Sequence, residues 1–125
     1  MELIDEIELF KDDIIDEYTE SESIKLDTGK IYVYWDEMME CPMIAPDYAW
    51  RELFRLSGWK HKYMKIYFKN GYVWETEISK NLEDKKNIYN KLKNYVKSGY
   101  KDLPNNDSSL EKAAELLADD EFEDI

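Results

Sequence analysis

The chain has one cysteine, one histidine, four glycines and three prolines in 125 residues. A lone cysteine, Cys41, excludes an internal disulfide and any fold that needs one. One histidine and one cysteine also exclude the usual Cys/His zinc centres within a single chain. A Ser/His/Asp or Cys/His catalytic site would have to use His61. Its neighbours Lys60 and Lys62 disfavour the imidazolium, and strand alternation puts it on a polar face, so a surface histidine is expected. Cys41 stands beside Pro42 with no basic neighbour in sequence, and nothing marks it as an activated thiolate. No Gly-rich phosphate loop is present. No apolar run approaches the ~20 residues of a membrane span. The acidic start MELIDEIELF lacks the basic and then apolar pattern of a secretory signal. A cytoplasmic protein, off the membrane and without a cofactor, is expected.

Positive charge is scarce too. Seventeen Lys and Arg face 29 Asp and Glu, a net charge of −12. That balance argues against a protein held on nucleic acid by bulk charge, and suits one that docks on a basic partner. The charge is segregated. Residues 1–50 hold 3 Lys against 15 acids, residues 51–101 hold 13 Lys and Arg against 5, and residues 102–125 hold 1 Lys against 9.

What is abundant is pattern. Residues 59–79 alternate on both sides of Asn70-Gly71, the strongest short-range hairpin signal. A two-residue loop would pair Ile66 with Glu75 and mix apolar with charged groups. A three-residue loop, with Gly71 left-handed in a bulge, pairs Phe68 with Tyr72, Ile66 with Trp74 and Met64 with Thr76. Met64, Ile66, Phe68, Tyr72, Trp74 and Ile78 then share one face, and Lys65 lies opposite Glu75 on the other. The rest of the chain must cover that apolar face.

Residues 2–19 carry Leu3, Ile7, Phe10, Ile14 and Tyr18 at helical spacing, which predicts an amphipathic helix. Residues 22–36 predict a second hairpin, turning at Thr28-Gly29 and pairing Leu26 with Ile31 and Ile24 with Val33. Residues 37–46 are the least regular stretch, because Pro42 and Pro46 exclude a continuous helix. There Met38, Met39, Met43 and Ile44 are expected to plug a core edge, or to form an adaptable binding patch. Asp47 can cap a helix at 48–57, with Arg51 and Arg55 on one side. Asn81 can cap a helix at 82–98 that stops at Gly99. Ser108 and Glu111 match a capping box for a last helix at 109–118. The expected fold is α+β, in the order α-ββ-α-ββ-α-α. Two hairpins form a four-stranded antiparallel sheet with the helices on one face. Residues 1–101 are read as one domain, and 102–125 as linker, short helix and acidic tail.

Carboxylates are plentiful, but none has calcium-loop spacing. Asp12, Asp13, Asp16 and Glu17 lie close in sequence, Glu75 and Glu77 share a strand face, and Glu83-Asp84-Lys85 falls at a helix start. The expectation is a non-enzymatic protein, monomer or homodimer, that binds and blocks a basic nuclease or nucleic-acid-binding protein. Acidic side chains would fill a site meant for phosphates. Immunity proteins and virus-encoded nuclease inhibitors are of this general kind. The candidate contacts are Asp12, Asp13, Asp16, Glu17 and Glu20, then Asp119, Asp120, Glu121, Glu123 and Asp124. One alternative is a nucleic-acid-binding module on the basic aromatic hairpin 59–74, using Trp59, Lys60, Lys62, Tyr63, Lys65 and Tyr67. A weaker alternative is an enzyme with a carboxylate-bound metal.

Overall fold

The computed structural model describes residues 1–11, 20–46 and 53–104. They hold seven strands and one helix. The strands are β1 (Ile4–Phe10), β2 (Ser21–Lys25), β3 (Ile31–Asp36), β4 (Cys41–Pro46), β5 (Phe54–Arg55), β6 (Tyr63–Phe68) and β7 (Val73–Glu77); the helix is α1 (Leu82–Lys97). They form two antiparallel sheets, of order β2-β1-β6-β7 and β3-β4-β5. This corrects the expected single four-stranded sheet made from two hairpins and covered by several helices.

The hairpin β6–β7 has the register that its faces dictate. Lys65 pairs with Glu75, Ile66 with Trp74 and Met64 with Thr76. Phe68 N–H donates to the Tyr72 carbonyl at 2.9 Å, and Gly71 sits at φ +95° in the loop. Helix α1 also forms where its signals stand. The Asn81 side chain accepts from Glu83 N–H at 2.8 Å, and Gly99 follows the helix at φ +77°.

The helix predicted at 2–19 is corrected at 4–10, which is β1, a central strand of the larger sheet; residues 12–19 lie outside the described residues. The cause is a bulge. Ile4 pairs with Phe68 and Glu6 with Tyr67, so Asp5 is an extra residue. Ile4 and Ile7 therefore share a face although they stand three apart, which imitates helical spacing. Phe10 then points to the opposite face from Ile7 and Leu9. It is buried edge-on against the Tyr63 ring, with the Lys65 amine 5.5 Å from its centre.

The predicted pairing of 24–26 with 31–33 is also corrected. Both strands exist, but β2 pairs with β1 and β3 pairs with β4. Thr28-Gly29 is where the chain crosses between sheets. Gly29 has φ +78°, and a Cβ there would lie 2.6 Å from the Leu3 Cβ. Its carbonyl accepts from Ile4 N–H.

The stretch read as irregular, 37–46, supplies β4, the middle strand of the smaller sheet. Two prolines fit there because of the direction their main chain faces. Pro42 and Pro46 pair with Trp35 and Ile31. The Pro42 carbonyl accepts from Leu56 N–H at 2.8 Å, on the side away from β3. By strand alternation, the absent N–H groups of both prolines fall on that outer side, where β5 is only two residues long. The ladder to β3 loses nothing. Across β3, the outward carbonyls of Val33 and Ile31 accept from Lys93 Nζ at 3.2 Å and from the Tyr100 hydroxyl at 3.0 Å, which closes that edge. The helix predicted at 48–57 is corrected at 54–55, which is strand; residues 47–52 lie outside the described residues, as does the helix predicted at 109–118.

One core joins the layers. Ile7, Leu9, Ile24, Met64, Ile66 and Trp74 face Ile31, Val33, Ile44 and Leu56, and Ile88, Leu92 and Tyr95 of α1 close it. The Tyr95 ring meets Phe68 edge-on at 5.7 Å, and its hydroxyl donates to the Glu2 carbonyl, tying the helix end to the start of the chain. No helix among the described residues is long and apolar enough to cross a membrane.

Candidate functional site

The outer face of the larger sheet carries the basic aromatic strand, and its groups are already engaged. Tyr63 donates its hydroxyl to Glu75 at 2.9 Å, and Tyr67 donates to Glu8 at 2.9 Å. Burial, reinforced by those carboxylates, pushes the Tyr67 hydroxyl up to about 12 and raises Tyr63 further still. Lys65 lies 3.8 Å from Glu75, and Lys60 lies 3.8 Å from Glu22. The Lys80 amine sits 3.9 Å over the Trp59 ring, which is otherwise 72% exposed. Lys62 is exposed beside a shallow 230 Å³ cleft lined by Gly58, Glu77, Ile78, Ser79 and Lys80. Next to this strand, the Ser23 hydroxyl donates to Glu6 at 2.6 Å and, with Lys25, holds that carboxyl below its usual range. Carboxylates and donors thus alternate across the sheet, and a phosphate chain laid there would meet Glu8 and Glu75.

Of the acidic candidates, Glu20 is exposed and pairs with Lys11 at 3.4 Å, just before β2. Asp12, Asp13, Asp16, Glu17, Asp119, Asp120, Glu121, Glu123 and Asp124 lie outside the described residues. Their weight is visible in the charge count. The described residues carry 15 Lys and Arg against 15 Asp and Glu, so they are neutral. The other residues carry 2 against 14, the whole surplus of −12.

His61 is not on the surface. It is 2% exposed, just ahead of β6. Its Nε2 stands 3.4 Å from a Glu22 oxygen, but neither ring nitrogen is in hydrogen-bond geometry with a partner among the described residues. We read that approach as a proximity of charge, not a directed bond. Burial lowers the pKa of His61, and Glu22 opposes that only in part. Cys41 is buried, and burial raises its thiol above the ordinary value. No group of three His, Cys, Asp or Glu is placed to hold a metal among the described residues.

The turn between β3 and β4 presents Met38, 93% exposed, and Met39, 52% exposed. Met43 is half-buried on β4, opposite Tyr34. Asp36 builds the turn. One of its oxygens accepts from Met38 N–H at 3.0 Å and Met39 N–H at 3.2 Å, and the other accepts from Arg55 Nε at 2.8 Å. The Arg55 guanidinium beside it, with those N–H groups, holds this carboxyl below its usual range. Asp36 was not singled out from sequence, although an Asp opening a run with no other turn residue signals an Asx turn.

Comparison with protein families, curated proteins and solved structures finds no match for this chain. The functional reading therefore rests on its own residues.

Proposed function

We propose that this is a non-enzymatic interaction protein that binds and inhibits a basic partner, of nuclease or nucleic-acid-binding kind. The observation that carries the reading is the charge: the chain carries −12 overall, and the surplus falls in residues 12–19, 47–52 and 105–125, while the described residues balance at 15 Lys and Arg against 15 Asp and Glu. Acidic segments raise the encounter rate with a basic protein and can occupy a site shaped for phosphates. Nucleic-acid binding by the hairpin 59–74 has less support, because the Tyr63 and Tyr67 hydroxyls and the Lys65 amine are committed to Glu75 and Glu8.

The test is an affinity capture from source-cell lysate, washed at low and then moderate salt, beside a variant with Asp12, Asp13, Asp16 and Glu17 changed to Asn or Gln. The expected result is one basic protein in stoichiometric amount, weakened by salt and by the neutralised variant. Nucleic acid retained without a protein would overturn the proposal.

A further inference from the structure

The β3–β4 turn combines two properties that the fold itself does not require together. It exposes large apolar side chains, and it is held in one shape. Met38 and Met39 are 93% and 52% exposed at the tip, so they contribute almost nothing to the core. Yet three separate devices fix the loop that carries them. The Asp36 carboxylate takes both methionine N–H groups. Arg55, reaching from β5, locks that carboxylate from behind at 2.8 Å. Glu40 closes the loop at φ +49°, a left-handed conformation that a residue with a side chain adopts at a cost. A loop with no role beyond joining two strands would place glycine or asparagine there and polar residues at the tip.

We infer that this turn is a preformed docking finger, whose Met38 and Met39 enter an apolar pocket rimmed by cationic side chains on a basic protein. The inference rests on the proposed basic partner and names a contact that charge alone does not supply. Methionine suits the role because its unbranched thioether fits varied pocket shapes. The fixed turn suits it because loop ordering is completed before binding, which reduces the entropy lost on association. The rim is assigned by charge. Glu37 and Glu40 are both exposed and stand on either side of the methionines, whereas Arg55, which reaches the turn from β5, is committed to Asp36. The acidic segments then steer the encounter, and the finger slows dissociation.

The experiment uses the full chain with a benzophenone side chain at position 38 and, separately, at exposed Lys69, irradiated in source-cell lysate. The partner identified is then purified and titrated against Met38→Ser/Met39→Ser and Glu37→Gln/Glu40→Gln. The expected result is an adduct with one basic protein from position 38 and none from position 69. The methionine pair variant should bind roughly 100-fold more weakly with an unchanged melting temperature. The Glu pair variant should bind a few-fold more weakly, with a shallower salt dependence. A basic partner that is captured, gives no adduct at position 38 and binds the methionine variant normally would overturn the finger and leave the proposed function standing. An adduct with a second copy of this chain or with an acidic protein would also overturn it. Absence of any basic partner would overturn both.

Discussion

The two β-hairpins of this molecule, β6–β7 and β3–β4, reach similar geometry by different rules. In β6–β7 every strand position declares its face: Met64, Ile66 and Phe68 point in, Tyr63, Lys65 and Tyr67 point out. A slip of one residue would bury Lys65 and Glu75 and expose Trp74, so the side chains alone set the register. In β3–β4 the inner face is just as apolar, but the middle strand reads Cys-Pro-Met-Ile-Ala-Pro and nearly every residue is apolar. Side chains cannot fix a register there. The backbone does so, through prolines whose missing N–H groups face away from β3 and a turn clamped by Asp36. The comparison teaches that a proline-containing run can be a central strand when its partner on one side is short.

The sharpest way to break that comparison is to move a proline by one position. Pro42→Ala should change stability by less than about 1 kcal/mol, since no bond to β3 is regained. Ala45→Pro puts the missing N–H and the ring against Tyr32 of β3, at a position where Ala45 is itself buried. The expected loss is about 3 kcal/mol, from an unsatisfied carbonyl together with steric clash. Urea unfolding of both variants decides it. Equal losses would show that proline direction is not what organises β4.

The glycines sharpen the comparison at smaller scale. Gly71 and Gly29 both read as turn glycines, and both have positive φ. Around Gly71 a Cβ would meet nothing within 4 Å, whereas at Gly29 it would press on Leu3 at 2.6 Å and on the Ile4 carbonyl at 3.2 Å. Gly71→Ala should therefore cost about 1 kcal/mol, the backbone term alone. Gly29→Ala should cost roughly twice as much, because it also wedges the crossover away from the start of β1. Thermal unfolding of the pair would show equal shifts if Gly29 were merely a turn residue.

Legibility follows the same divide. Residues 63–99 could be read because alternation, Asn70-Gly71, the Asn81 cap and Gly99 are local signals that agree, whereas 59–62, read as the start of the strand, precede it. Residues 2–10 misled because the bulge at Asp5 brings Ile4 and Ile7 to one face at helical spacing. Residues 22–36 misled because Gly29 serves a close approach, and a turn glycine looks the same in sequence. The acidic candidates were legible as composition only, and all but Glu20 lie outside the described residues. Among described residues, the methionines at 38 and 39 were visible as one of two readings, while the Asp36–Arg55 lock joins residues 19 apart and has no local signature.

The smallest effect tests a position beside the legible region whose burial was misplaced. His61 lies beside the most readable strand, between two lysines, and is nevertheless buried with Glu22 of β2 as its nearest charge. Desolvation holds its folded pKa below the ordinary value; Lys60 and Lys11 act in the same direction, and Glu22 acts against them. The sign follows. Above about pH 6.5 the imidazole is neutral whether the chain is folded or unfolded, and it contributes no slope. As the pH falls below that, the unfolded chain takes up a proton that the folded chain refuses, so stability drops until the folded pKa is reached. The slope cannot exceed about 1.4 kcal/mol per pH unit, the value for one proton. Urea midpoints measured between pH 7 and pH 5 should fall for the wild type and stay flatter for His61→Gln, while the carboxylates titrate mostly lower. A wild-type midpoint that rises as the pH falls would mean that the Glu22 approach outweighs burial. His61 would then be a charged partner of β2, and the larger sheet would depend on an ion pair and not on faces alone.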